Sequence, residues 1–333
     1  MNLTDTEIRN IVVFRALQLG DMLCAIPAIR ALRDAFPDAR ITLAGLPWAK
    51  TLLDRFPHYF DEFIHFPGYP GLPEQRFDPG DVVDFLSLVQ KESFDLAIQM
   101  QGNGSVVNPL VELFGAKHTA GFCTPGHYCP DGPYFITYPD KVHEVERHLA
   151  LMSALGIPSR GNDLEFPLYD SDFAELEAAG LPITPEHYVC VHPGSRGAYR
   201  QWPPASFARL ADFCHEQGLS VVITGTQEEM PLVEEVMKHM EHPAINAAGR
   251  TSLGAVAALI RNAFALISNC TGVSHIAAAL KIPSVVISLD GEPERWGPIN
   301  KELHRTIDGT RGADVETVLN ELEEVLVVAT QRD

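Results

Sequence analysis

Cations are scarce in this chain. Its 333 residues include 25 lysines and arginines against 44 aspartates and glutamates, a net charge of −19. A nucleic-acid backbone or an anionic membrane surface selects the opposite balance, so neither is expected as a general partner. Long apolar runs are absent too, and none reaches the length that spans a bilayer. The first ten residues are polar and acidic, unlike a secretory leader. A cytoplasmic protein with at most peripheral membrane contact is expected. The six cysteines, at positions 24, 123, 129, 190, 214 and 270, form no C-x-x-C pair. Cys190, Cys214 and Cys270 sit in or beside apolar segments, so buried reduced thiols are expected rather than disulfides or zinc ligands. Also missing are a P-loop, a G-x-G-x-x-G turn, a nucleophile elbow and a D-x-D of the kind that holds a metal–diphosphate.

What is present is enough apolar material, 46% of the residues, to build two cores. Strand-like runs at residues 11–16, 41–46, 62–66, 96–100 and 118–122 alternate with helix-like runs at 21–36, 82–91 and 143–155. Residues 156–185 interrupt the rhythm with repeated Pro and Gly and a short acidic helix at 171–179. The alternation resumes with strands at 188–191, 220–224, 264–268 and 284–288, and helices at 204–217, 229–240, 253–263 and 315–328. This is the pattern of two doubly wound α/β domains, 1–168 and 186–312, joined by a linker at 169–185. Such domains bind ligands beyond the carboxyl ends of their strands, which places the expected site in a cleft between the two sheets.

The candidate residues cluster after strands. In Asn269-Cys270-Thr271-Gly272-Val273-Ser274-His275, an apolar strand runs into a Gly turn and a helix start. The unpaired N–H groups and partial positive charge of a helix start favour a phosphate. His275 lies in the first turn and can donate to a phosphate oxygen or a sugar. A second loop, His192-Pro193-Gly194-Ser195-Arg196, follows the strand at 188–191, with Arg200-Gln201-Trp202-Pro203 beyond it. Ser195, Arg196 and Arg200 can hold phosphate oxygens, Arg200 in a bidentate manner. Two anion-ready loops in one half point to a nucleoside-diphosphate ligand. Glu229, after the strand at 220–224, is either a helix-dipole partner or an acceptor for a ribose diol. Asp21, in Leu19-Gly20-Asp21, reads equally as a helix N-cap or as a base that takes a proton from an acceptor hydroxyl. In His143-Glu144-x-x-Arg147-His148 the histidines are five apart and share a helix face poorly, which argues against a metal and for local ion pairs. Trp296 either flanks a base or plugs a core.

Together these segments resemble glycosyltransferase family 9, the ADP-heptose:lipopolysaccharide heptosyltransferases. The matching residues run in order from Arg15, Leu19-Gly20-Asp21, Pro27 and Leu32 through His143, Glu146-Arg147 and Leu149. They continue through His192-Pro193-Gly194-Ser195, Arg200-Gln201-Trp202-Pro203, Gly225 and Glu229. They end at Asn269, Thr271-Gly272, Ser274-His275 and Ala278-Ala279. The resemblance implies a GT-B fold of two Rossmann-like domains, with acceptor on the first and donor on the second. It implies inverting, metal-independent transfer of a heptose from ADP-heptose as donor substrate, with no cofactor. The acceptor would be a glycan, a lipid-linked sugar or a small molecule.

Carried over residue by residue, Asp21 is the general base. Ser195, Arg200, Thr271, Gly272, Val273, Ser274 and His275 hold the diphosphate, and Glu229 the ribose. Arg15, His143 and Arg147 are acceptor or structural residues, and residues 313–333 form a helix that packs back on the first domain. At 200 the family commonly has Lys, and at 270 it has an Asp that contacts donor-sugar hydroxyls. Cys270 is a poor acceptor. Either Asn269 or Asp290 compensates, or sugar recognition differs, or activity is lost. A charge of −19 also sits badly with an anionic lipopolysaccharide acceptor. Two alternatives carry different expectations: a sugar-nucleotide 2-epimerase that needs no acceptor, and a non-catalytic nucleotide-binding partner protein.

Overall fold

The continuous apolar run Ile11, Val12, Val13 and Phe14, buried throughout, forms β1 (Asn10–Phe14), a central strand of the first sheet. The computed structural model describes Leu3 and residues 6–331, in two compact units, Met1–Asp163 and Leu164–Asp333. In the first unit, β2 (Arg40–Gly45) and β3 (Glu62–His65) lie to one side of β1. On the other side are β4 (Leu96–Gln99), β5 (His118–Cys123) and β6 (Phe135–Thr137). Every pairing is parallel, and the order is β3-β2-β1-β4-β5-β6. This is the Rossmann order, which reverses direction between β1 and β4 and opens a crevice at their carboxyl ends.

The helices of this unit are α1 (Leu19–Ala35), α2 (Ala49–Arg55), α3 (Pro79–Lys91), α4 (Val107–Glu112) and α5 (Glu144–Ala154). Phe14, Phe66, Phe85 and Phe114 meet edge to face in its core, with centroids 4.9–5.9 Å apart. The sequence reading locates the long elements to within a few residues. It omits α2, α4 and β6, which are too short to show a period.

The second unit repeats the plan. Its strands are β7 (Tyr188–His192), β8 (Ser220–Ile223), β9 (Ile245–Asn246), β10 (Ala265–Asn269), β11 (Ser284–Ser288) and β12 (His304–Asp308). They are parallel in the order β12-β11-β10-β7-β8-β9, with the switch between β7 and β10. The helices are α6 (Asp170–Ala178), α7 (Pro204–Glu216), α8 (Met230–His239), α9 (Leu253–Arg261), α10 (Gly272–Ala279), α11 (Pro293–Trp296) and α12 (Val315–Ala329). Val189 and Val191 of β7 share a core with Phe207 and Leu210 of α7. Among the described residues, no helix is long and apolar enough to cross a membrane.

Three expectations need correction. Residues 169–185 are not a free linker. Asp172 and Leu176 of α6 are buried, Ser252 donates to Glu175, and Arg250 donates to the Ala179 carbonyl, so α6 is fastened to the second unit. The last helix, expected to pack back on the first domain, has its apolar face in the core of the second unit. Val318, Leu322 and Val325 of α12 lie in the same core as Val285 and Ile287 of β11, so its apolar stripe is consumed within its own unit. The cysteines are not all reduced. Cys123 and Cys129 form a disulfide with Cα atoms 5.5 Å apart, within the range such a bond requires. A turn in which His127 N–H donates to the Thr124 carbonyl, with Gly126 at φ +83°, brings the chain back to Cys123. The other four cysteines are buried and form no disulfide.

Candidate active site

The crevice of the second unit is bordered by the segments after β7 and β10. Asn269, the last residue of β10, is fully buried and joins the two. Its Nδ2 donates to the Pro193 carbonyl at 2.7 Å, and its Oδ1 accepts from Trp202 N–H at 3.1 Å. That fixes the main chain of the 193–195 loop against the sheet. It also consumes both ends of the Asn269 amide, so Asn269 does not compensate for Cys270. Trp202 is buried edge-on to Phe207, and its indole N–H donates to the Ala313 carbonyl, which anchors the far end of the loop.

Gly194 lies close against the Glu229 carboxylate, which a side chain at 194 would displace. A Cβ there would lie 2.1 Å from Glu229 Oε1. The Glu229 carboxylate, half-buried, accepts from Thr226 N–H at 2.8 Å through Oε2. His192 is buried, with Nδ1 3.0 Å from Thr224 Oγ1. Burial pulls its pKa down against the opposing charge of Glu229. Ser195 is half-buried, and its carbonyl accepts from Gln201 Nε2 at 3.1 Å. Arg196 is exposed.

After β10, Thr271 is the N-cap of α10 and pairs reciprocally with Ser274 in a capping box. Its N–H donates to Ser274 Oγ at 3.3 Å, and that hydroxyl donates to the Thr271 carbonyl at 2.7 Å. The cap occupies Thr271 and Ser274 and leaves the N–H groups of Gly272 and Val273 at an open helix start. His275 is in this first turn but buried at 4% exposure.

Arg200 leaves the short 3-10 turn Ala198–Arg200. One guanidinium nitrogen lies 3.8 Å from Asp290 Oδ2. Asp290, after β11, accepts from Ser288 Oγ at 2.7 Å and Glu292 N–H at 3.0 Å through Oδ1. Cys270 is buried beside this pair. Burial, then the charge of Asp290, pushes its thiol up to about 12, so it is neutral. Of the two compensators weighed from the sequence, Asp290 is the carboxylate that stands next to Cys270. Trp296 is half-buried, with the Arg295 guanidinium over its ring at 4.5 Å, so it does not plug a core.

In the first unit the crevice lies between the segments after β1 and β4. The structure corrects the N-cap reading of Asp21. The cap position of α1 is Gln18, and Asp21 sits three residues on, its carboxylate accepting from Gln18 N–H at 3.3 Å. Arg15, 1% exposed, donates through Nε and Nη2 to the Asp21 carbonyl at 3.0 and 2.7 Å and through Nη1 to the Met100 carbonyl. It positions the main chain of Asp21 and is closed to an acceptor.

Behind Arg15 is a buried cluster. Glu144 meets Arg15 at 3.4 Å, His148 at 3.3 Å, and the Arg147 guanidinium. Arg147 also donates to the Pro139 carbonyl and lies 4.3 Å over the Tyr138 ring, so it is structural. His143 caps α5, its Nδ1 accepting from Val145 N–H at 3.2 Å. Burial raises the Glu144 pKa, but contact with His148 and the charges of Arg15 and Arg147 outweigh it and hold the carboxyl well below its ordinary range. Burial, then the charge of Arg15, draws His148 down to about 4.

Two Rossmann-type units, each with its prepared loops at the topological switch, define a class of protein that holds nucleotide-like ligands beyond its strand ends. The model of glycosyltransferase family 9 (heptosyltransferase) matches residues 84–322, more than half of the chain. The chain belongs to that family and is a glycosyltransferase. It is 25% identical over 311 residues to lipooligosaccharide heptosyltransferase 2 of Haemophilus ducreyi, covering 87% of each chain. The solved family 9 glycosyltransferase of Veillonella parvula superposes with a TM-score of 0.80 at 20% identity, over 97% of this chain and 98% of that one. The ADP-heptose lps heptosyltransferase II of E. coli gives 0.74 at 21% identity, over 96% and 99%. These likenesses establish the GT-B fold.

Sequence reasoning missed the stapling role of Asn269 and the loop after β4. Both depend on long-range pairings, and neither has a local motif.

Proposed function

We propose that the chain transfers a heptose from ADP-heptose to an acceptor hydroxyl with inversion at the anomeric carbon. The observation that carries this reading is the loop pair after β7 and β10. Asn269 holds the 193–195 main chain while the capped start of α10 presents Gly272 and Val273 N–H, with Arg200 nearby. A diphosphate gains negative charge as it leaves the sugar, and preorganised donors at that place stabilise the transition state more than the ground state. Asp21 takes the acceptor proton as the hydroxyl attacks C1, and the C1–O bond to the diphosphate breaks with its electrons leaving on ADP. Both charges are handled by protein groups, and the step is written without a metal.

The donor is read as ADP-heptose because one solved relative carries that substrate in its name. In this reading Glu229 accepts from the ribose. Asp290 supplies the carboxylate beside the donor sugar that position 270 lacks, since the Cys270 thiol is protonated and buried. The test is single-turnover transfer monitored by NMR of the product anomeric proton. Inverted product, lost in Asp21→Asn, is expected. Retained configuration, or near-full turnover in Asp21→Asn, would sink the mechanism.

A further inference from the structure

We propose that the loop after β4, residues 101–105, is the acceptor subsite and that it selects an uncharged, polyhydroxylated acceptor sugar. The proposal rests on the transfer reading and names the class of its second substrate. Ala16 N–H donates to Gln101 Oε1 at 2.6 Å, and Arg15 bridges the carbonyls of Met100 and Asp21. The loop and the main chain of the proposed base are therefore held by one guanidinium.

The loop itself is built. Gln99 Nε2 donates to the Gln101 carbonyl, and Gln99 Oε1 accepts from Phe122 N–H at 3.1 Å. Gly104 has φ +85°, and a Cβ there would meet the Phe122 carbonyl at 2.1 Å, so only glycine lets the chain lie this close to β5. Thr124 Oγ1 donates to the Asn103 carbonyl at 3.3 Å, which ties the loop to the disulfide-closed turn after β5. Above Gly102 the space is open.

The chemistry offered there is neutral. Residues 96–111 contain no ionisable side chain, in a protein with 69 charged residues among Lys, Arg, Asp and Glu (25 basic and 44 acidic). Asn103 Oδ1 accepts from Ser105 N–H at 3.1 Å and Ser105 Oγ at 2.8 Å, which aligns the amide and leaves its Nδ2 as a donor. Asn108 Oδ1, 1% exposed as a residue and next to Gly104, is a buried acceptor without a partner among the described residues. Amides and hydroxyls match sugar hydroxyls, which both donate and accept. A phosphate or carboxylate needs a cation or converging N–H groups. Arg15, beside this loop, has its donors committed to two carbonyls and Glu144.

The test is a ligand-observed NMR titration of the full chain with methyl α-D-mannopyranoside and its 6-phosphate, run beside a titration with ADP. The neutral glycoside is expected to bind, and its 6-phosphate at least about tenfold more weakly. Asn103→Ala should weaken the neutral glycoside about tenfold, the loss of one hydrogen bond that a buried partner needs, with ADP affinity unchanged. Ser105→Lys should turn the preference toward the phosphate. Equal or tighter binding of the 6-phosphate to the wild-type chain, full affinity in Asn103→Ala, or ADP binding with no binding of either sugar would each overturn the subsite and leave the transfer reading intact. Sugar binding that depends on Asn103 without any ADP binding would support the subsite and sink the transfer reading.

Discussion

Arg200 shows how much a single side chain is asked to supply. One nitrogen of its fork lies 3.8 Å from Asp290 Oδ2. If it meets the leaving diphosphate, Arg200→Ala should cost roughly a hundredfold in turnover, about 3 kcal/mol of transition-state stabilisation. Arg200→Lys should recover only part of that, because a point charge does not reproduce a bidentate contact. Steady-state kinetics with ADP-heptose check both. Asp290→Asn should lower turnover about tenfold while ADP affinity changes less than threefold, since the ADP moiety is read by other groups. An equal loss of ADP affinity would instead make Asp290 only a support for Arg200. The turn after β7 and the cap of α10 were legible because Gly, Ser and Thr after an apolar strand announce them. Arg15 was not legible as a positioning group. Its three carbonyl bonds reach to residues 21 and 100, and nothing local in the chain marks them.

The first-domain cluster behind Arg15 belongs to the element scale, because α5 delivers Glu144, Arg147 and His148 to the ends of β1 and β4. His148 has a native pKa of about 4 against an ordinary value of 6.5. Between those values the unfolded chain binds more protons than the native one, so stability rises with pH through this window and falls on acidification. Glu144 acts in the same sense, since its lowered pKa gives stability that is lost as pH falls through the folded value. The unfolding free energy from urea titrations should fall steadily from pH 6.5 to 4, by up to about 3 kcal/mol from His148. His148→Gln should flatten the profile, and an unchanged slope would show that the ring titrates normally. At this scale the long elements were readable from period and composition. The short strands β6, β9 and β12 were not, because two to five residues at a sheet edge carry little pattern. The core that takes the stripe of α12 was not readable for a related reason. An amphipathic stripe announces that a helix is covered, but the covering partner is set by tertiary packing.

For the whole molecule, both sheets were legible as doubly wound units, and their strand orders prove to be the same, each with a switch between its first and fourth strands. That repetition explains why the candidate residues fall after β1, β7 and β10 and why the loop after β4 belongs with them. The net charge of −19 was the clearest global signal, and it bears on the acceptor more than on the chemistry. If the diphosphate is neutralised by the protein alone, saturating EDTA should leave turnover within about twofold of the untreated rate. A tenfold loss restored by a divalent cation would require a metal in the step.

The central claim is that the second unit holds the pyrophosphate of ADP-heptose between the 193–195 loop and the start of α10. Thermal unfolding of the full chain with ADP-, UDP- and GDP-sugars tests it most directly. A ligand at about a hundred times its Kd stabilises by about 2.7 kcal/mol, an easily read rise in Tm. The account predicts that rise for ADP-heptose, little for the UDP and GDP sugars, and its loss in Arg200→Ala. Equal stabilisation by UDP- or GDP-sugars, or an undiminished shift in Arg200→Ala, would contradict it.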